Sequence, residues 1–495
     1  MGKRRGDKWP SGWKLFVSTY HVLLLLAVGS FAGGVAADDR LELQRGSVRR
    51  AMTRAASYFF SEVSVHGGYV YHYSPDLKTR WGEGLAGPEQ IWVQPPATPT
   101  VGMAYLTAFH ATQDPLFLQA AEAAGQALLY GQLRSGGWRN MVDFQPRARQ
   151  SADYRNGQGN PRGSNASSLD DGQTQTALRF LMQLDQALEF RQPAIHEAVE
   201  YASQAVLAAQ FQSGGFPQVF TGPVPVVPPC TANYPGYDWK TEGKIKNYWE
   251  MYTLNDNHCG YLAELLREGY RIYADERYRH ALEKLGDFLI SSQMPQPQPG
   301  WAQQYNFAMQ PIWARKFEPP GIAGRETEEA VETLLLIHSV TGDARYLQPI
   351  PAALDWLRRS QLNDGKIARY YELKTNRPLY MQRAGDEYRL TYEDTELPGH
   401  YGWKTVSRVG ELQARWRRVQ SGQHGLEERE SLAVLTQAAA GIIDQLDPQG
   451  RWLSTYAGER LVGQPKFRQG EEYLSSERFS RHLTTLAQFL EASAE

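Results

Sequence analysis

The chain has 495 residues, 42% of them hydrophobic and 12% aromatic, with a formal net charge of −2. That hydrophobic content excludes an intrinsically disordered chain, and the length suits one large repeat-built domain or about two or three ordinary ones. The near-neutral balance gives no general attraction for nucleic acid, so any polyanion must be held by a local arginine cluster or a metal.

Lys3, Arg4, Arg5, Lys8 and Lys14 precede an uncharged run from Leu15 to Ala37 that ends Val35-Ala36-Ala37-Asp38. A basic start, a short apolar core and small residues at the expected cut describe an export signal covering residues 1–37, with cleavage after Ala37. A run of this length also suits a membrane anchor, which is the competing reading. The expected mature chain is a single domain over 38–495, periplasmic or secreted.

Beyond the signal, one motif recurs. A helix ends on Gln and an apolar residue, turns, and resumes on an aromatic or β-branched residue: QLRSGGW (132–138), QFQSGGF (210–216), QMPQPQPGW (293–301), QLNDGKI (361–367) and QLDPQGRW (445–452), with GGYVYHY (67–73) as a looser relative. A second turn, at Asp114, Pro193, Asp275 and Asp343, lies roughly 23–26 residues before Trp138, Phe216, Trp301 and Ile367, about the length of a four-turn helix plus a Gly-closed connection. Each unit therefore reads as helix, turn, helix, Gly-rich loop. First helices are expected near 99–112, 172–190, 257–273 and 325–340; second helices include amphipathic Tyr201–Gln212 and Tyr346–Leu362. Stacked helical hairpins of this kind close into a ring or open into a solenoid; the unequal units and long loop inserts favour the ring, so the expected fold class is all-α, an α/α toroid of about six repeats with long rim loops and short β-hairpins. The Gln-x-x-x-Gly-x-aromatic pattern of the first two units resembles the repeat of terpenoid cyclases, but no Asp-rich motif of those enzymes is present. Cys230 and Cys259 are the only cysteines. They could pair, or Cys259 could stay a buried thiol, and their spacing is not that of a zinc site.

The repeat carries four polar strings to one rim: Asp170-Asp171-Gly172-Gln173-Thr174, Asn255-Asp256-Asn257-His258, Arg315 through Glu318, and Gly324-Arg325-Glu326-Thr327. Read singly, Asp170, Asp171, Asn255 and Asp256 are helix N-caps, and Glu326 complements a helix dipole. Read together, they form a site whose all-oxygen donors suit a hard cation such as Ca²⁺. A later run, from Lys366 to Pro378 with Arg383 beyond, sets arginines beside aromatics, either as a solvated hairpin or as a grip on sugar carboxylates.

The strings LDDGQTQTALRFL (169–181), GGFPQVF (214–220), TLNDN (253–257), WAQQYNFAMQPIWARKFEPPGIAGRE (301–326) and ARYYELKTNRPLY (368–380) resemble the pectic acid lyases, a pectate lyase family with an α/α-toroid catalytic module. The similarity covers roughly residues 130–405. It implies cleavage of pectate or a related polyuronate by β-elimination, assisted by Ca²⁺. It further implies Arg315 as the base, Asp256 and Asp171 as metal ligands, and Asp170, Glu326, Arg369, Tyr370, Arg377 and Arg383 as substrate-binding residues. The implied partner is an acidic polysaccharide, and the implied state a monomer. Gln304-Tyr305-Asn306 and Asn257-His258 stand where family members often carry further acids. Two other readings remain: a toroid glycoside hydrolase using a pair such as Asp170 and Asp256, and a non-catalytic carbohydrate-binding member of the same fold.

Overall fold

The computed structural model describes residues 33–423 and 430–494, so most of the expected export signal, residues 1–32, lies outside the described residues. No described helix is long and apolar enough to cross a membrane. The described chain is mostly helical, with helices α1 (Gly33–Tyr58), α2 (Thr98–Thr112), α3 (Pro115–Tyr130), α4 (Gln173–Ala187), α5 (Pro193–Ala208), α6 (His258–Tyr273), α7 (Glu276–Ser292), α8 (Gly324–Thr341), α9 (Ile350–Arg359), α10 (Val409–Gln420), α11 (Leu432–Asp444) and α12 (Ser476–Ala492). The first helices expected from the repeat match α2, α4, α6 and α8 to within a few residues. Of the expected second helices, α5 starts and stops earlier than expected, whereas α9 starts later and stops earlier.

Two compact units divide the chain. Among the described residues, one takes 33–92, 96–127 and 430–494; the other takes 93–95 and 128–423. In the first unit α12 packs on α2, with α1 alongside. Phe59 stacks on Phe479 with ring centroids 3.9 Å apart. A small antiparallel sheet joins 453–455, 472–475, 72–73 and 80–81 in that order.

The second unit is built from the hairpins α4/α5, α6/α7 and α8/α9. The leading helices α4, α6 and α8 lie side by side, and α10 covers α8 and α9. The recurring glutamine explains how the hairpins are joined. Gln132 Nε2 donates to Gly136 O in its own turn (3.1 Å) and to Ala198 O in α5 (2.9 Å). Gln210 does the same to Gly214 O (2.9 Å) and Ala281 O in α7 (2.8 Å), and Gln293 to Pro299 O (3.0 Å) and Pro349 O just before α9 (2.9 Å). One amide, buried at Gln132 and part-buried at Gln210 and Gln293, thus satisfies a turn carbonyl and a carbonyl in or just before the second helix of the neighbouring unit, which would be costly to leave unpaired. The turn glycine is required: Gly214 has φ +95°, and a Cβ there would lie 1.8 Å from Lys284 O. The aromatic that follows has its own duty. Trp138 and Trp301 send their indole N–H back to Leu128 O (2.7 Å) and Leu289 O (2.9 Å), and their backbone N–H to Thr174 (3.0 Å) and Thr327 (3.0 Å) at the starts of α4 and α8.

The turn aspartates behave as ordinary caps. Asp275 and Asp343 accept from the backbone N–H of Arg277 and Arg345. A five-stranded sheet in the order 387–391, 378–384, 370–371, 322–323 and 301–302 then places the rim of this unit. Its register sets Ala323 opposite both Tyr370 and Trp301, and Gly324 N donates to Arg369 O at 3.1 Å. Arg369 is thereby held against the first turn of α8.

Candidate active site

Asp170 and Asp171 follow the short strand Ser167–Ser168 and precede α4; Asp256 follows the strand Tyr252–Thr253 and precedes α6. As helix caps these acids would accept from the first backbone N–H groups, yet neither α4 nor α6 has a side-chain cap bond. The capping reading therefore fails. Asp171 (φ +47°), Asp256 (φ +52°) and Asn257 (φ +59°) are all left-handed, a conformation that costs a non-glycine residue about 1 kcal/mol or more. That strained backbone turns the carboxylates of Asp170, Asp171 and Asp256 toward one another, with ligand oxygens all within 4.8 Å.

Around this cluster the partners are polar and specific. Gln94 Nε2 donates to Asp171 Oδ2 at 3.1 Å and is itself held by Gln173 at 3.2 Å. Asp256 accepts from Asn255 Nδ2 at 2.9 Å and pairs with Arg369 Nη2 at 3.3 Å and Arg325 Nη1 at 3.5 Å. Arg369 Nη2 also lies 2.8 Å from Glu326 Oε1, and Arg325 Nε 2.7 Å from Glu329 Oε1. Burial and the neighbouring Asp256 charge push the Asp170 carboxyl up to about 6. Burial acts on Asp256 in the same direction, but Arg369, Arg325 and Arg315 together outweigh it and hold Asp256 at about 2. Two adjacent carboxyls are thus driven apart, the pattern of groups with divided roles.

Arg315 sits on the turn after Trp313 and is half-exposed. Its backbone N–H and its Nε both donate to Glu318 Oε2, at 3.0 Å and 2.8 Å, and its Nη2 donates to Glu318 Oε1. The guanidinium also lies over the rings of Phe317 (4.9 Å) and Tyr401 (5.7 Å). Partial burial opposes its charge, but the Glu318 hydrogen bonds and charge prevail, so Arg315 holds its proton more tightly than an ordinary arginine.

The remaining expected site residues separate into two groups. Glu326, Arg369 and Tyr370 are buried, and Arg369 reaches the acidic cluster through Asp256. The Tyr370 hydroxyl donates to Gln303 Oε1 and meets the Tyr401 hydroxyl at 2.9 Å. Burial pushes Glu326 up to about 7 in spite of Arg369. Arg377 and Arg383 belong to the solvent-facing hairpin. Arg377 stacks on Tyr392 at 3.6 Å; Arg383 donates to Gly385 O at 2.7 Å and lies 3.6 Å from Asp386. Their contacts stay within that hairpin, because the strand Pro378–Ala384 carries the run outward from Tyr371. Cys230 is exposed and Cys259 buried, and the two do not pair.

Glu318 and Arg325, which belong to the polar strings but had no role of their own, complete the site together with Glu329, Gln94 and Tyr401, which the sequence did not single out. The i, i+3 spacing of Arg315 and Glu318 and the i, i+4 spacing of Arg325 and Glu329 were available signals. Gln94 and Tyr401 are distant in sequence and left none. The three clustered carboxylates, with no nitrogen or sulfur donor among them, fit Ca²⁺ in ligand chemistry.

Residues 132–368 match the family model of the pectic acid lyases, which bears out the resemblance over that stretch; residues 369–405 of the expected span lie beyond the match. No curated protein matches the chain. Among solved structures, a mutant of the family 10 polysaccharide lyase from Cellvibrio cellulosa in complex with trigalaturonic acid is 18% identical, with a TM-score of 0.46, covering 65% of this chain and 98% of that one. The cellobiose 2-epimerase of Spirochaeta thermophila is 16% identical, with a TM-score of 0.44, covering 91% and 99%. A sugar epimerase from a ruminal bacterium is 12% identical, with a TM-score of 0.47, covering 90% and 98%.

Proposed function

We propose that this protein is a polysaccharide lyase that cleaves pectate or a related polyuronate by β-elimination, and that its helical hairpins belong to an α/α toroid. One observation carries the reading: three carboxylates that do not cap their helices converge within 4.8 Å, beside a half-exposed arginine, inside the segment that matches the pectic acid lyases.

In β-elimination the proton on C5 of a uronate is removed and the bond from C4 to O4 breaks. The difficulty is that the proton lies next to a carboxylate, whose charge opposes the further negative charge that develops. Asp170, Asp171 and Asp256 would hold a Ca²⁺, which when bound neutralises the uronate carboxylate and makes the C5 proton more acidic. Arg325, partly exposed beside Asp256, is placed to donate to the same carboxylate. Arg369 and Glu326 lie below and fix the Asp256 carboxylate from the protein side. Arg315 is the proton acceptor in this reading. Only a neutral guanidine can accept, and Glu318 stabilises the charged form, so the rate is expected to rise with pH on the alkaline side.

An inverting hydrolase would need carboxyl groups roughly 6.5–9.5 Å apart; the cluster is tighter than that. The test is to incubate the purified protein with polygalacturonate and Ca²⁺ and to follow the ultraviolet absorbance of a C4–C5 unsaturated product. Saturated reducing ends without that absorbance would instead indicate hydrolysis. Binding without any turnover would indicate a carbohydrate-binding protein. We further propose export directed by residues 1–37 and action as a monomer. Asp38 as the first residue of the exported chain is the result that supports this.

A further inference from the structure

Glu318 is nearly fully buried, its side chain 3% exposed, directly behind Arg315. A tight turn brings it there: Glu318 N donates to Arg315 O at 2.9 Å and Ala314 N to Glu318 O at 3.2 Å. Its oxygens are saturated. Oε2 accepts from the backbone N–H and the Nε of Arg315; Oε1 accepts from Arg315 Nη2, from the Tyr401 hydroxyl at 2.9 Å and from Gln303 Nε2 at 3.3 Å. A carboxylate offers about four lone-pair directions, so no freedom is left to rotate. On the guanidinium, Nε and Nη2 are consumed by this grip, the rings of Phe317 and Tyr401 flank it, and Nη1 has no hydrogen-bond partner among the described residues.

We propose that Glu318 is the positioning residue of the reaction: by accepting from Nε and Nη2 it favours Nη1 as the nitrogen that carries the lone pair when Arg315 is neutral, and it points that nitrogen outward to the sugar. The inference rests on the lyase reading above. A neutral guanidine lacks one proton, and its lone pair can sit on any of three nitrogens. An ionised carboxylate has only acceptors, so a lone pair on Nε would face it repulsively, and an imino Nη2 would offer it only one, weaker N–H donor. The tautomer with the lone pair on Nη1 keeps both hydrogen bonds. An orienting carboxylate behind a histidine base selects a tautomer in the same way.

The step then balances. The C5–H bond breaks and its proton passes to Nη1, giving guanidinium. The electron pair left on C5 forms the C4=C5 double bond as the C4–O4 bond breaks, and O4 leaves with that bond's pair and takes a proton from water. Guanidinium afterwards releases its proton to solvent. The charged and titratable groups acting on Arg315 are Glu318, Tyr401, Asp256, Asp170 and Tyr248; Glu318 alone grips it by hydrogen bonds.

The experiment is the pH profile of kcat and KM for the full chain on polygalacturonate with Ca²⁺, for the wild type, Glu318→Gln and Glu318→Asp. Gln offers one acceptor and one donor, so it admits the wrong tautomers. Glu318→Gln is expected to lose kcat by about 10²–10⁴-fold, as in the histidine analogy, with KM changed less than about threefold. Its alkaline limb should move to lower pH, because the neighbouring negative charge is gone. Glu318→Asp retains a two-oxygen acceptor and should keep more activity than Glu318→Gln. Circular dichroism and tryptophan fluorescence identify a variant that fails to fold, in which case Glu318→Asp carries the comparison. A wild type that works while Glu318→Gln keeps its kcat and its alkaline limb overturns the inference alone. A wild type that forms no unsaturated product overturns the lyase reading, and this inference with it.

Discussion

Replacing Glu326 by Gln should stabilise the protein more near pH 8 than near pH 5. Glu326 lies in the first turn of α8 with a fully buried side chain, and its salt-bridge partner among the described residues is Arg369 Nη2 at 2.8 Å, with Glu329, Arg325 and Asp256 acting on it from farther away. Neither carboxylate oxygen has a well-directed hydrogen bond. Burial accordingly dominates, raising the carboxyl from 4.5 to about 7. A carboxyl raised in the folded state contributes stability that is complete below the unfolded value of 4.5 and lost as pH climbs through about 7. At about 1.36 kcal/mol per pH unit the loss is on the order of 1 kcal/mol near pH 5 and about 3 kcal/mol near pH 8. Glutamine remains neutral throughout and escapes the loss. Urea unfolding followed by tryptophan fluorescence, in chelator at both pH values, measures the difference between variant and wild type. Asp170 and Glu328, raised to about 6 and about 7 chiefly by burial, slope the same way, but they are common to both proteins and cancel. A Glu326→Gln protein less stable than the wild type near pH 8 would refute the reasoning, since the ion pair with Arg369 would then outweigh burial.

Gln210→Ala removes the amide that serves Gly214 O and Ala281 O and should cost about 1–3 kcal/mol in the same unfolding assay, because two carbonyls lose their donor. Gly214→Ala forces a side chain onto Lys284 O at φ +95°; it should lower the thermal midpoint far more than Gly365→Ala, whose added Cβ meets nothing within 4 Å. Arg369→Met removes the cation between Asp256 and Glu326, and about 3–5 kcal/mol of stability should go with it. Arg383→Ala, at the exposed hairpin turn, should leave the rate of unsaturated-product formation within about twofold of the wild type.

The hairpin repeat was legible because one chemical need recurs. The carbonyls at each turn must be satisfied, and Gln132, Gln210 and Gln293 do so in the same way each time. The acidic rim was legible for a related reason: Asp170, Asp171 and Asp256 hold the same place before successive leading helices, so the period that locates the helices also locates them. Their departure from capping was not legible. It depends on left-handed backbone at Asp171 and Asp256, which Asp tolerates but does not announce. Arg377 and Arg383 share the sequence neighbourhood of Arg369, but strand register, not proximity in the chain, decides which arginine faces the floor of the site. Ala323 pairs with Tyr370, so Arg369 turns to α8 while the strand beyond it runs outward. Tyr401 and Gln94 reach the site through tertiary placement alone.

Mass and NMR analysis of the oligosaccharides released from polygalacturonate by the full chain with Ca²⁺ tests the central claim most directly. The account predicts products carrying a C4=C5 double bond at the new non-reducing end, formed by the wild type and lost in Arg315→Ala that retains its fold. Products that have taken up water at the cut, or unsaturated products still formed at the wild-type rate by Arg315→Ala, would contradict it.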